Sequence, residues 1–278
     1  MLRPRELSRS ISLFAAQTPT LPPATHTNSY ALGTREVLLV EPATPYEDEQ
    51  RDWIAWGRSL LASGRRIVAI VATHHHPDHV GGVRELTRAL DVPLWAHAGT
   101  ASRVPVPVAR ALEDGETITL DGPLPECWQV LHTPGHAPGH VCLWSSDERV
   151  VVVGDMVASV GTILIDPVDG DMRAYLEQLD RLARLDAQLA LPAHGEPIDQ
   201  PTEHFRRYIA HRKMREAKIV AAIEAWRARG SNSPSAEEIL PDAYSDVPTT
   251  MWPIALLSLQ AHLKKLVEDG RAARGDVS

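Results

Sequence analysis

The sequence predicts an α/β domain followed by a smaller, mainly helical domain. Over the first 200 residues, short apolar strands alternate with amphipathic helices, which is the pattern of an α/β fold. After Pro201 the strand pattern stops, and helical segments fill the rest of the chain. The 278 residues suffice for one large and one small domain. We therefore predict a first domain at residues 1–200 and a second at residues 201–278.

Local patterns assign the individual elements. Residues 1–15 are expected to form a first strand or an arm, and the continuous apolar run at 67–72 is typical of a strand buried on both faces. Apolar residues at helical spacing, stopped by Gly64 and Gly270, mark helices. The predicted strands cover residues 29–33, 36–40, 67–72, 92–96, 116–120, 126–131, 140–144, 149–153 and 189–191. The predicted helices cover residues 50–63, 83–90, 172–185, 205–226, 235–240 and 252–268.

Composition excludes several protein classes. Hydrophobic residues make up 44% of the chain and charged residues 23%, as in ordinary globular proteins. No apolar run reaches the roughly 18 residues that a membrane-spanning helix needs, so no membrane partner is expected. The two cysteines, Cys127 and Cys142, cannot build a disulfide framework. A reducing, cytoplasmic location is therefore expected.

The net charge of −8 is unevenly distributed along the chain. Residues 1–199 carry 16 basic and 26 acidic side chains, whereas residues 200–278 carry 12 and 10. The acidic first part argues against a phosphate-binding surface that covers the whole protein. Five basic residues cluster on the predicted helix at 205–226, either as a solvated helix face or as a track for an RNA backbone. They are Arg206, Arg207, Arg212, Lys213 and Arg215.

Four predicted strands end in turns that carry side chains of the metal-ligand type. The turns lie at residues 73–82, 132–136, 154–155 and 192–195. Because strand ends at one sheet edge bring side chains together, these turns predict a site. His74 and His76 can face one ion in an extended turn, and Asp78 and His79 can face a second. Imidazole and carboxylate ligands suit zinc, iron or manganese, and neither cysteine lies in these turns.

This ordered set of side chains resembles the signature of the metallo-β-lactamase superfamily. Its seven positions are filled in order by His74, His76, Asp78, His79, His136, Asp155 and His194. The resemblance implies a four-layer αββα sandwich with two metals at the edge between the sheets. It implies that the first, second and fifth of these residues hold one metal. The second metal is then held by Asp78, His79 and His194, and Asp155 bridges the two.

Nearly the whole chain is similar to a smaller group, the β-lactamase-like protein 2 family. The stretches that carry this similarity are 133–140, 154–157, 170–176, 191–195, 211–216 and 252–253. The similarity implies a winged-helix-like second domain. The near-neutral charge balance of residues 200–278 favours a substrate lid or a homodimer surface over a nucleic-acid reader. The similarity also implies two divalent cations as cofactor, zinc in first place, with manganese or iron as alternatives. His140, beside a predicted ligand turn, is expected to orient a ligand by a hydrogen bond.

The resemblance implies a hydrolase that uses a metal-bound hydroxide, which Asp78 orients while it assists proton transfer. Two substrate classes stay open, a single-stranded RNA phosphodiester and a small thioester or other acyl compound. Hydrolysis of β-lactams is disfavoured because true class B lactamases commonly have a cysteine where this chain has Asp155. Two alternatives differ in class: an iron-dependent persulfide or redox enzyme of the same fold, and a nucleic-acid-binding module in the second domain.

Overall fold

A computed structural model describes residues 3–230 and 234–272 of the chain. The residues form two compact units. The first unit comprises the chain up to Thr133, Pro138–Thr162 and Asp186–Pro201. The second comprises Pro134–Ala137, Ile163–Leu185 and the chain from Thr202 onward. The domain boundary at residue 200 stays a prediction.

The first unit contains a seven-stranded sheet whose strands follow one another in sequence order. They are β1 (Arg5–Glu6), β2 (Ile11–Gln17), β3 (His26–Leu32), β4 (Glu36–Val40), β5 (Arg66–Val71), β6 (Leu94–His97) and β7 (Val108–Leu112). Neighbours are antiparallel from β1 to β4 and parallel from β4 to β7. The predicted strands do not include β7, which pairs with β6 directly after a segment that contains Pro105 and Pro107.

The same unit contains a second sheet of five strands. They are β8 (Thr117–Leu120), β9 (Glu126–His132), β10 (Val141–Ser145), β11 (Val150–Gly154) and β12 (Leu189–Pro192). Their order in space is β12-β11-β10-β9-β8. β11 and β12 pair in parallel, whereas the other neighbours are antiparallel. The second sheet thus has one parallel pair at its edge, as the first sheet has parallel strands in its second half.

The two sheets enclose the main core. Buried side chains from both, such as Val71 and Trp128, form one continuous apolar cluster. A second cluster lies on the other face of the first sheet, where two helices cover it with side chains such as Trp53 and Leu86. The helices of the first unit are α1 (Glu47–Ala62), α2 (Pro77–Val80), α3 (Val83–Leu90) and α4 (Ala98–Ala101). Layered strands and helices confirm the predicted α/β class.

The second unit is helical in its described part. It contains α5 (Met172–Ala183), α6 (Pro201–Ala228), α7 (Ala236–Ala243) and α8 (Trp252–Glu268), with a 3₁₀ turn at Thr249–Met251. Asp171 caps α5 by accepting a hydrogen bond from the backbone of Ala174, and Ser235 and Glu238 form a capping box on α7. Its apolar core lies among α6, α7 and α8. The predicted helical character of this region is confirmed.

The cluster of basic residues on α6 is divided between two environments. Arg206, Arg207 and Lys213 lie outside the buried core, but Arg212 and Arg215 are buried at 3% and 4% exposure. The inward guanidinium groups pack against Tyr175 and Tyr244. A solvated face made of all five cations is therefore wrong. No described helix combines the length and the apolar character that crossing a bilayer requires.

Candidate metal centre

Strand ends from both sheets meet at one edge of the first unit. β4 and β5 are parallel neighbours in one sheet, and β11 and β12 in the other. Each of these strands is followed by chain that carries polar side chains of the site. Six of the seven predicted ligands lie in this unit: His74, His76, Asp78 and His79 after β5, Asp155 after β11 and His194 after β12.

Two carboxylates and two imidazoles form one compact group. Nε2 of His194 lies 3.5 Å from Oδ2 of Asp78 and 3.4 Å from Oδ1 of Asp155. Nε2 of His79 lies 3.5 Å from Oδ2 of Asp155 and 3.9 Å from Oδ2 of Asp78. Asp155 therefore turns one oxygen toward each imidazole. Ligand atoms of Asp78, His79 and His194 all lie within 4.8 Å of one another, close enough to share one cation.

His74 and His76 face each other beside this group. Nε2 of His74 is 3.1 Å from Nδ1 of His76, and the rings are nearly perpendicular at 83°. The ring of His74 also lies 4.0 Å from that of His79, measured between centroids. Two imidazole nitrogens this close together can both be ligands of one cation. The structure thus brings together the pair that the one-residue spacing predicts to face one ion.

Glu41 is a residue of this site that no motif in the sequence predicts. It follows β4 directly and is only 1% exposed. Its Oε1 accepts hydrogen bonds from the Thr73 hydroxyl at 2.5 Å and from Nδ1 of His79 at 3.1 Å. The sequence does contain one indication of its role, because Glu41 directly follows an apolar strand. A carboxylate buried in such a place needs polar partners. That signal gives no partner, because Thr73 and His79 lie 32 and 38 residues away.

Hydrogen bonds at Nδ1 assign the tautomer of three buried histidines. His79 donates from Nδ1 to Glu41, and His194 donates from Nδ1 to the carbonyl at the start of β3, 3.0 Å away. Nδ1 of His74 lies 3.0 Å from the Thr73 hydroxyl, which itself donates to Glu41. With Nδ1 engaged as a donor, Nε2 of each ring keeps its lone pair for a cation.

The electrostatics of the group favour positive charge. Burial lowers the pKa of His79, but the carboxylates of Asp155, Glu41 and Asp78 outweigh burial and hold this pKa well above its usual value. Burial raises the pKa of Asp155, yet the imidazoles of His194 and His79 hold it well below its usual value. The carboxylates therefore stabilise positive charge at the imidazoles, and a divalent cation can supply that charge in place of protons.

The donor set fits a metal ion. Nε2 of His79 is buried and has no hydrogen-bond partner among the residues that the structure describes. Buried polar atoms nearly always have a partner, so this nitrogen needs one that the protein does not provide. It lies beside two carboxylates, in the surroundings that a cation requires. The His and Asp groups at this edge are therefore able to hold metal ions.

His140 positions the backbone of a predicted ligand. Its Nε2 accepts a hydrogen bond from the backbone N–H of Asp155 at 3.1 Å, and its Nδ1 lies 2.8 Å from the Thr133 hydroxyl. Gly154, just before Asp155, has a φ of +47°, and a Cβ there would lie 2.6 Å from Nε2 of His140. Only glycine allows this close approach, which fixes the point at which the chain leaves β11 and thereby the position of Asp155.

Two residues of β3 hold the turn that carries His194. Nδ2 of Asn28 donates to the carbonyl of Pro192 at 3.0 Å and to that of Gly195 at 2.8 Å. The Tyr30 hydroxyl donates to the same Pro192 carbonyl at 2.7 Å. The turn is thereby held on both sides of His194. Neither β3 side chain is among the residues that the sequence signature predicts.

His136, the fifth position of the signature, belongs to the second unit. It is 6% exposed, and its Nδ1 donates to the carbonyl of Leu164 at 2.9 Å. This bond leaves its Nε2 with a lone pair, the same tautomer as in the histidines of the first unit. The place of His136 among the ligands stays a prediction from the sequence.

Comparison with known proteins agrees with this geometry. The profile described as the metallo-beta-lactamase superfamily matches residues 22–194, more than half of the chain. This chain belongs to the metallo-β-lactamase superfamily. A second profile, the beta-lactamase associated winged helix domain, matches residues 235–277. The family resemblance is thus confirmed for both parts of the chain, and the site and the relatives together make the protein a metallo-hydrolase.

Several relatives within the superfamily are similar over most of the chain. A beta-lactamase-like protein 2 homolog of Caenorhabditis elegans is 31% identical, over 88% of this chain and 79% of its own length. An atrochrysone carboxyl ACP thioesterase of Aspergillus fumigatus is 28% identical, over 71% of this chain and 60% of its own.

Solved structures share the fold of this chain. A metallo-beta-lactamase family protein from Thermus thermophilus has a TM-score of 0.74 at 24% identity, covering 95% of both chains. A protein solved in a di-iron-bound form has a TM-score of 0.51 at 30% identity, covering 67% of this chain and 96% of its own.

Proposed function

We propose that this metallo-hydrolase binds two zinc ions and hydrolyses a small acyl thioester. The group formed by Asp78, Asp155, His79 and His194 carries the hydrolytic part of the proposal. Its nitrogen and oxygen atoms lie 3.4–3.9 Å apart, in surroundings that favour positive charge. Such oxygen and nitrogen donors, with no thiolate among them, suit catalytic zinc.

The proposed ligand sets follow the sequence signature. His79, His194 and Asp78 would hold one cation, and Asp155 would be a ligand of both. His74 and His76 are ligands of the other cation, and the addition of His136 to them rests on the signature alone. When bound, the two cations polarise the acyl carbonyl and lower the pKa of a water molecule. Glu41 and Thr73 keep the imidazoles of His74 and His79 in the tautomer that binds a cation.

Asp78 is the proposed catalytic carboxylate. Its side chain is 17% exposed, against 9% for Asp155 and 0% for His79, so it is the member of the group that solvent reaches. It accepts the proton of the attacking water and returns it to the sulfur that leaves as the C–S bond breaks. The products are a carboxylic acid and a thiol, with all atoms of the water accounted for.

A thioester is favoured over RNA by two observations. The Aspergillus fumigatus relative bears the name of an ACP thioesterase, which acts on an acyl thioester by that name. An RNA backbone needs a row of exposed cations, yet two members of the five-residue basic cluster on α6, Arg212 and Arg215, are buried and bonded within the protein. The three exposed members of this cluster form a shorter track.

A substrate panel tests this proposal. Zinc-loaded and manganese-loaded protein is incubated with an acyl-CoA, a glutathione thioester, single-stranded RNA and a β-lactam. We expect thiol release from a thioester and no cleavage of RNA or lactam. Asp78→Ala should abolish the release, whereas Asp186→Ala, which changes an exposed carboxylate of the same unit, should leave it intact. Cleavage of RNA without thioester hydrolysis would overturn the substrate assignment.

Metal analysis tests the zinc assignment separately. The di-iron-bound relative shows that iron occurs within this fold, and imidazole and carboxylate ligands accept iron as well. Elemental analysis of protein purified without added metal is expected to give about two equivalents of zinc. Iron in its place, with no hydrolysis of any panel substrate, would favour the persulfide or redox alternative.

A further inference from the structure

The interior of the second unit contains a polar cluster that the metal centre does not explain. On α8, Ser258 and His262 lie one helical turn apart and are 7% and 0% exposed. On α6, Arg212 and Arg215 face inward and are 3% and 4% exposed. Imidazole and guanidinium groups are seldom buried this deeply in a helical core of this size unless polar partners surround them.

Hydrogen bonds between α6 and α8 flank His262 on both sides along α8. Nη1 of Arg212 donates to the hydroxyl of Ser258 at 3.3 Å, one turn before His262. Nζ of Lys265 donates to Oε2 of Glu216 at 2.8 Å, about one turn after it. The imidazole therefore lies between two polar links that join the helices, in a place that solvent does not reach.

Buried polar atoms in this part of the helical interior lack protein partners. Both ring nitrogens of His262 are buried and have no hydrogen-bond partner within the described ranges 3–230 and 234–272. The same holds for Nε of Arg215, whose other nitrogens bind Asp246 and the carbonyl of Ala243. Native proteins leave few such atoms unmatched, so a small polar occupant is required to complete these bonds.

The charges around His262 determine whether a bound ion would be an anion or a cation. Burial and the basic side chains of Arg212, Lys265, Arg215 and His211 lower the pKa of His262 to about 3. No carboxylate is among these main influences. The nearby carboxylates are each shared between two cations: Asp246 between Arg215 and Lys218, Glu216 between Lys265 and Arg271, and Asp269 between Lys265 and Arg173. Positive charge is therefore in excess, and an anion is favoured over a cation.

We propose that a small inorganic anion binds between α6 and α8, where His262 and Nε of Arg215 donate hydrogen bonds to it. The anion would complete the hydrogen bonding of the interior and partly neutralise the guanidinium groups of Arg212 and Arg215. Its class is chloride or a tetrahedral oxoanion, because His262 and Arg215 are only 0% and 4% exposed, and such burial disfavours larger organic anions. This site is independent of the substrate proposed for the metal centre.

Thermal unfolding of the metal-loaded full chain tests the proposal. Unfolding is followed in sodium gluconate, which supplies a bulky organic anion, while chloride or phosphate replaces gluconate at constant ionic strength. We expect chloride, phosphate or both to raise the melting temperature by several degrees, and the rise to saturate as the anion concentration increases. The anion that saturates at the lower concentration identifies the class. Equal melting temperatures in all three salts would overturn the proposal.

Two variants separate specific binding from general salt effects. His262→Leu removes the proposed donor and should abolish the saturating rise. Lys264→Gln removes an exposed charge from the same helix and should retain it. If both variants respond to the anions as the unaltered protein does, the site is not at His262.

Diffraction provides a test that does not depend on variant folding. Crystals of the unaltered protein are soaked in sodium bromide, and anomalous scattering locates the bromide ions. A peak within hydrogen-bond distance of His262 and Arg215 is expected. Density for water alone at this position, without anomalous signal, would contradict the anion site.

Discussion

Glu41 and His79 are joined by a hydrogen bond of 3.1 Å between a carboxylate and an imidazole that are both almost completely buried. The bond fixes the ring so that Nε2 points toward Asp78 and Asp155. Glu41 also accepts the hydroxyl of Thr73, which in turn lies beside His74. A single carboxylate therefore orients two predicted ligands that lie in the same turn of the chain.

Glu41→Gln should weaken metal binding. The neutral amide no longer offers a charged acceptor to both Thr73 and His79, so the two imidazoles lose their fixed orientation. We expect metal affinity to fall roughly 10- to 100-fold, measured by competition with a chromogenic chelator. Glu36→Gln, at the opposite end of β4, is the matched control and should bind metal normally. Unchanged affinity in the Glu41 variant would show that Glu41 does not orient the ligands.

Asp78→Ala and His194→Ala should lose turnover while they keep the fold. Loss of the proton-accepting carboxylate is expected to lower kcat by roughly 10²- to 10⁴-fold. Loss of His194 removes a ligand and should also lower the metal content. Circular dichroism checks the fold, and hydrolysis of the best panel substrate gives the rate. Full activity in either variant would count strongly against the site assignment.

Gly154→Ala should displace Asp155. The new Cβ would lie 2.6 Å from Nε2 of His140, so either the ring or the strand end must move. We expect a loss of about 1–3 kcal/mol in the free energy of unfolding, together with reduced activity. Gly115→Ala is the control, because Gly115 has a φ of +82° but open space around its Cβ. A control variant that loses as much stability and activity would assign the effect to backbone strain alone.

Stability should fall in acid because of His262. In the unfolded chain the imidazole takes up a proton near its usual pKa of 6.5, whereas in the folded protein it stays neutral down to about pH 3. Between these values the unfolded state binds more protons, so the free energy of unfolding decreases by about 1.4 kcal/mol for each unit that the pH falls. Urea unfolding in gluconate buffer measures this slope.

The His262→Leu variant should show a flatter dependence over the same range. The free energy of unfolding of the variant minus that of the unaltered protein should be about 2–3 kcal/mol larger at pH 4.5 than at pH 7. Parallel slopes for the two proteins between about pH 6.5 and pH 4.5 would mean that His262 takes up its proton in the folded state.

The order of ligand-type residues along the chain was enough to predict the metal site, and the pattern of strands and helices was enough to predict the fold class. The run from His74 to His79 after an apolar strand, followed by Asp155 and His194 after two others, predicted a site at one sheet edge. Alternating strand and helix patterns predicted the α/β class. These features are local, because a strand, its turn and the side chains in that turn are encoded within about ten residues of one another.

Tertiary structure alone decided the partners of those side chains. Glu41 joins the site because β4 and β5 are parallel neighbours, and Asn28 holds the His194 turn from 164 or more residues away. Helical spacing placed Arg212 and Arg215 on α6, but only the packing of α7 and α8 turned them inward. Hydrogen bonds and burial depend on which distant segments meet, and periodicity within one segment does not contain that information.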